Sequence, residues 1–169
     1  MEIRNEKPED LEAVRRVNVA AFGRASEAIL VDRLRGTDAT FSFVALHTEQ
    51  IVGHVFLSPV AIDGNCPGDR LVLGLAPVAV LPEYQRQGIG SLLIRHSLKE
   101  CDRFGVKAIV VLGSPEYYSR FGFAPAKEKG LKCEYSVPEE AFMVLELESD
   151  ALEGCNGTVK YRLEFDDLE

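Results

Sequence analysis

The sequence predicts a single α/β domain over residues 1–169, and three observations carry the prediction. Branched, strand-like runs alternate with runs of helical spacing. A strand at Val72–Leu81, a helix and a second strand at Val106–Leu112 follow one another directly, which makes a βαβ unit with parallel strands and a right-handed crossover. No stretch rich in Pro, Gly or Ser divides the chain, and 169 residues at 46% hydrophobic and 27% charged suffice for one sizeable core.

Glu2–Asn5 reads as a short edge strand. Pro8, Glu9 and Asp10 make a favourable first helical turn, Leu11, Val14, Val17 and Ala21 recur at helical spacing, and Gly23 ends the helix. A second helix runs from Ser26, a candidate N-cap, to Arg35, with Ile29, Leu30 and Leu34 as its apolar stripe and Gly36 beyond it. Phe41–Leu46 and Ile51–Ile62 form a hairpin around His47–Gln50, and His54 and Ser58 share one face of its second strand. Asp63–Arg70 is a loop. After the central strand, which Pro82 ends, a helix reaches about Phe104, with Leu93, Leu98, Cys101 and Phe104 able to face the sheet. Ser114-Pro115-Glu116 opens a short helix carrying Tyr117 and Tyr118. Leu131–Tyr135, Phe142–Leu147 and Thr158–Phe165 complete the strands, and the last of these either extends the sheet edge or serves a homodimer contact.

Charge and cysteine usage narrow the partners. A formal net charge of -8 and a pI near 5.0 argue against nucleic acid and favour attraction of a cationic amine. MEIRNEKPED is charged where a signal peptide needs an apolar core, and no window approaches the roughly 18 apolar residues of a membrane span, so a cytoplasmic protein is expected. Cys66, Cys101, Cys133 and Cys155 are widely separated and form no C-x-x-C pair. They read as four plain thiols, with neither a metal site nor a disulfide framework.

The chemistry concentrates where the central strand gives way to its helix. Gln85-Arg86-Gln87-Gly88-Ile89-Gly90 leads into Ser91 and an amphipathic run, so backbone N–H groups at a helix N-terminus converge on a space suited to phosphate. Leu93 stands where a dinucleotide fingerprint needs its third glycine, and no Walker lysine follows. The pattern Q/R-x-x-G-x-G/A after a branched strand resembles the acetyl-CoA loop of the GNAT N-acetyltransferase superfamily. Val78-Ala79-Val80-Leu81-Pro82, Ser91-Leu92-Leu93 and Tyr118-Ser119-Arg120-Phe121-Gly122-Phe123 extend the resemblance over about residues 40 to 125, most like an uncharacterised bacterial branch.

The resemblance implies a mixed, mostly antiparallel sheet with a central splayed parallel pair and helices on both faces. It implies acetyl-CoA as co-substrate, its pyrophosphate on the amides of Arg86, Gln87, Gly88, Ile89, Gly90 and Ser91, and its pantetheine and thioester on backbone N–H groups near Val78 and Val80. Tyr118 is then the candidate general acid for the leaving thiolate. The joint between the first two helices overhangs the acceptor in such proteins, bringing Phe22, Arg24 and Glu27 into consideration. The base is open between Glu27 and His54, because the strand Leu73–Val80 carries no acid; a lone strand histidine such as His54 is more often a hydrogen-bonded structural residue than a catalytic one. Val111 and Ser114 replace an Asn and an Ala common in the family, which shortens the tyrosine helix. The expected activity is acetyl transfer to a primary amine of a small molecule or peptide by direct attack in a ternary complex. The alternative is a non-catalytic acyl-CoA sensor of the same fold.

Overall fold

The computed structural model describes residues 1–168. Nine strands, β1 (Glu2–Asn5), β2 (Phe41–His47), β3 (Gln50–Asn65), β4 (Val72–Val80), β5 (Ala108–Leu112), β6 (Ala124–Pro125), β7 (Leu131–Cys133), β8 (Phe142–Glu146) and β9 (Asn156–Lys160), form a mixed sheet of order β1-β2-β3-β4-β5-β8-β6. β9 pairs with β3 and, in parallel, with β7. The helices are α1 (Leu11–Phe22), α2 (Ser26–Leu34), α3 (Ile89–Arg103) and α4 (Pro115–Ser119). The chain divides into two compact units, and β3, β4 and α3 each run through both.

The first unit holds residues 1–58, 76–99 and the C-terminal residues from Leu163. Its core is Val14, Val17, Leu30, Val31, Leu34, Phe43, Phe56 and Leu93, all buried. Pro8–Asp10 is a separate 3-10 turn: Asp10 turns inward to accept bonds from Arg4 (2.7 and 3.2 Å) and the Lys7 amide (2.7 Å), and the Arg4 guanidinium holds its carboxyl below the usual range. α2 begins at Ser26, but Ala25 occupies the N-cap and no side chain caps the helix. Its buried stripe is Glu27, Leu30, Val31 and Leu34, at spacing i, i+3, i+4, i+7, while Ile29 is exposed. The helical period therefore turns a carboxylate inward where the sequence suggested an isoleucine.

The second unit holds residues 59–75 and 100–162. β3 runs past Ile62 to Asn65, into the stretch from Asp63 where a loop was expected, because β9 pairs with its far end from Ala61↔Lys160 to Asn65↔Asn156. β9 starts and ends earlier than the sequence suggested, and Leu163–Asp167 is a 3-10 helix instead of the end of a strand. The same ladder corrects the reading of four free thiols. One step past Asn65↔Asn156 the antiparallel register brings Cys66 opposite Cys155, and the two form a disulfide, leaving Cys101 and Cys133 as thiols. An 89-residue separation hides this pairing from any local pattern. Phe104 is 63% exposed under the Arg103 guanidinium, since α3 ends one residue before it and the inward face is no longer continued.

Candidate active site

β4 and the turn into α3 build the first part of the site. The Leu81 amide donates to the Val52 carbonyl on β3 (2.9 Å), and strand N–H groups alternate in direction, so those of Val78 and Val80 point to the opposite edge of β4. Parallel pairing with β5 covers only Val72–Gly74 against Ala108–Val110, while β4 continues to Val80. Gln85 Nε2 donates to the Val80 carbonyl (3.0 Å), and Gln87 Nε2 to the Glu83 carbonyl (3.3 Å), fastening the turn from both sides. Arg86 (φ 63°) and Gly88 (φ 85°) are both left-handed. Glycine adopts that conformation freely; arginine there is held at a cost by its surroundings. A Cβ placed on Gly88 meets no atom within 4 Å, so the turn opens onto clear space.

α3 starts at Ile89, with the Leu92 amide donating to the Gly88 carbonyl (3.0 Å). The amides of Ile89 and Gly90 thus sit in its first turn, at the positive end of the helix dipole. This end of α3 is seated tightly on β3: a Cβ on Gly53 would lie 3.0 Å from Leu93 Cδ1 and 3.1 Å from Ile89 Cγ2. A helix N-terminus of this kind suits an anion through its backbone alone.

Glu27 and His54 lie in the same unit, in different settings. Glu27 is 4% exposed at the start of α2, and Arg24 grips both its oxygens, Nε at 3.0 and 3.2 Å and Nη2 at 2.6 Å. The Arg24 side chain is 42% exposed, so the pair reaches solvent. His54 is 0% exposed. Asn18 Nδ2 donates to its Nδ1 (3.1 Å), which makes Nε2–H the donor to Ser42 Oγ (2.8 Å), whose own proton goes to Glu6 Oε1 (2.7 Å). Arg35 then binds Glu6 (2.8 Å) and Asp32 (2.6 Å). Burial, with the Arg35 charge secondary, pushes the imidazole down to about 3, so it is neutral at pH 7. This is the placement of the structural histidine that the sequence left open. Asn18, Ser42, Glu6 and Arg35 carried no signal in the sequence, because each comes from a different element.

Tyr118 belongs to the second unit. Ser114 caps α4 by accepting from the Tyr117 amide (3.5 Å), and the Tyr118 amide donates to the Ser114 carbonyl (3.0 Å). Tyr117 packs edge-on to Tyr118 (ring centroids 5.0 Å), as does Phe123 (5.7 Å). Burial, and to a lesser degree Tyr117, push the Tyr118 phenol up to about 12, so it holds its proton throughout the neutral range. Arg120 stacks on the Tyr117 ring (4.5 Å), which separates the two tyrosines: one cation-covered, the other enclosed by rings. Among the described residues no group of three or more His, Cys, Asp or Glu is placed to hold a metal ion, and no helix is long and apolar enough to cross a membrane.

A model of the acetyltransferase (GNAT) domain matches residues 2–126. Over 167 residues the chain is 38% identical to an Escherichia coli K12 protein named uncharacterized N-acetyltransferase YhbS, covering 98% of each. The crystal structure of E. coli YhbS in complex with CoA superposes with a TM-score of 0.91 at 37% identity, covering 99% of this chain and 93% of that one. A Brucella melitensis GNAT family acetyltransferase in complex with acetyl-CoA gives 0.80 at 36% identity, covering 98% and 97%.

Proposed function

The chain belongs to the GNAT acetyltransferase family, and from that premise we propose that it transfers the acetyl group of acetyl-CoA to a primary amine of a small molecule or peptide. The observation that carries the reading is the left-handed turn at Arg86 and Gly88, open to clear space and delivering the first amides of α3 to one point. A pyrophosphate fits that chemistry: it is doubly anionic, and backbone N–H groups at a helix N-terminus bind phosphate without any side chain. Both relatives crystallised with this cofactor class match over nearly the whole chain.

In this reading Arg86 to Ser91 hold the pyrophosphate, and the Val78 and Val80 amides receive the pantetheine and the thioester oxygen as it gains charge. The amine nitrogen attacks the acetyl carbon, the carbon–sulfur bond breaks, the nitrogen loses a proton and the thiolate gains one. Tyr118 supplies the thiolate's proton. An amine of ordinary pKa, about 10.4, is almost wholly protonated at pH 7, so a base assists. Glu27 takes that role in preference to His54: the Glu27–Arg24 pair reaches solvent, whereas both imidazole nitrogens are engaged out of reach of any substrate. The net charge of -8 draws the cationic acceptor in.

A screen of amines and peptides for acceptor-dependent release of free CoA thiol tests the activity, and no release with any acceptor class would defeat it. The adjacent tyrosines test the acid. Tyr118→Phe keeps the ring and deletes the proton, so turnover falls by roughly 10²- to 10⁴-fold with little change in acetyl-CoA affinity, while Tyr117→Phe costs far less. Reversal of the two would shift the assignment to Tyr117.

A further inference from the structure

We propose that Gly113 is a positioning residue for the reaction: its bare backbone is the seat against which the Tyr118 ring lies, and that seat fixes where the phenolic hydroxyl points. The proposal rests on the reading of Tyr118 as the acid. A Cβ built on Gly113 would stand 2.3 Å from Tyr118 Cε2 and 2.8 Å from Cδ2, far inside the usual carbon–carbon contact of about 3.5 Å. Most glycines of this chain have a left-handed φ, Gly88 among them; Gly113 does not. Its backbone would accept any residue, so what the position requires is space, and the Tyr118 ring occupies that space.

Something must give when a methyl is added, and the surroundings decide which. Gly113 continues β5, which pairs with β8 from Ala108↔Glu146 to Leu112↔Phe142, and its amide donates to the Ala141 carbonyl (3.0 Å). On its other side Ser114 is tied to α4 twice, through its hydroxyl to the Tyr117 amide and its carbonyl to the Tyr118 amide. The backbone is thus pinned on both sides of the glycine. The ring is the softer partner: it rotates about two side-chain bonds and is bounded by the rings of Tyr117, Phe121 and Phe123. An added methyl therefore pushes the ring, and a hydroxyl at its far end moves most. Displacement of a catalytic group by about 1 Å costs on the order of 10²-fold.

The test is a double-mutant cycle read by release of free CoA thiol, using the amine found in the acceptor screen or the slow hydrolysis of acetyl-CoA alone. Gly113→Ala is expected to lower kcat by roughly 10- to 100-fold, with KM for acetyl-CoA within about twofold of wild type. In the Tyr118→Phe background the same change should cost less than about threefold, because the hydroxyl it misplaces is gone. Near-full kcat in Gly113→Ala, with Tyr118→Phe severely impaired, overturns the seat and leaves the acid assignment standing. Equal losses from Gly113→Ala in both backgrounds overturn the seat as well, whatever Tyr118→Phe does alone. Full activity of Tyr118→Phe defeats the acid assignment and with it this proposal. Should Gly113→Ala fail to fold, Gly113→Ala/Phe123→Leu, which removes one of the rings enclosing Tyr118, is compared with Phe123→Leu and read the same way. In the unaltered protein a nuclear Overhauser contact between the Gly113 α-protons and the Tyr118 ring must appear, and its absence overturns the geometry directly.

Discussion

The turn before α3 and the buried line around His54 lie in the same unit and are built in opposite ways. The turn spends its backbone: Arg86 and Gly88 take left-handed conformations, α3 begins directly after them, and a Cβ on Gly88 would meet no atom within 4 Å. The line spends side chains. Asn18, His54 and Ser42 come from α1, β3 and β2 and Glu6 follows β1, and each is hydrogen-bonded to the next inside the fold, with Asn18 Oδ1 left without a partner. One arrangement sets backbone donors at the start of a helix, and the other ties its side-chain donors to acceptors within the fold. Polar groups signify a ligand site only where the fold has not already satisfied them.

Acid separates the two most strongly. Folded His54 titrates at about 3 and an unfolded histidine near 6.5, so between those values the unfolded chain binds a proton that the native state refuses. The stability this gives is present above pH 6.5 and is lost as pH falls toward 3, at up to about 1.4 kcal/mol per pH unit. Denaturant unfolding from pH 7 to 4 measures the slope. His54→Ala should flatten it and, by leaving Asn18 and Ser42 without their partner in the interior, cost roughly 3 kcal/mol at pH 7. CoA affinity in the same variant should stay within about twofold; a large loss of affinity with unchanged stability would break the contrast and return His54 to the site.

Gly88→Val makes the reverse separation. The side chain enters the open space before α3, so CoA affinity should fall by roughly 30- to 100-fold, about 2–3 kcal/mol. Stability should drop by only about 1–2 kcal/mol, from the left-handed φ. Unchanged affinity in a folded Gly88→Val protein, measured by calorimetric titration, would remove the turn from the site.

The same contrast explains what was legible in the sequence. The strand, proline, turn, glycine pair and helix are contiguous, and local chemistry dictates each, so the strand–turn–helix that carries the proposed anion site could be read from residues 71–98 alone. The tyrosine helix was legible for the same reason, with Ser114, Pro115 and Glu116 opening it as their types require. What escaped depends on register and long-range pairing. Glu27 turns inward because α2 sits one step round from the stripe that Ile29 suggested. β3 runs past Ile62 because a strand nearly a hundred residues away pairs with it, and the same ladder couples Cys66 to Cys155. No spacing within a short window encodes those neighbours.

Ligand-induced stabilisation of the unaltered chain tests the central claim most directly. Thermal unfolding is followed with saturating CoA, NAD and ATP in turn; a ligand that binds only the native state raises the midpoint by mass action. CoA should raise it clearly while NAD and ATP do not, since the loop lacks both the third glycine of a dinucleotide fingerprint and the Walker lysine. A shift with NAD or ATP and none with CoA would contradict it.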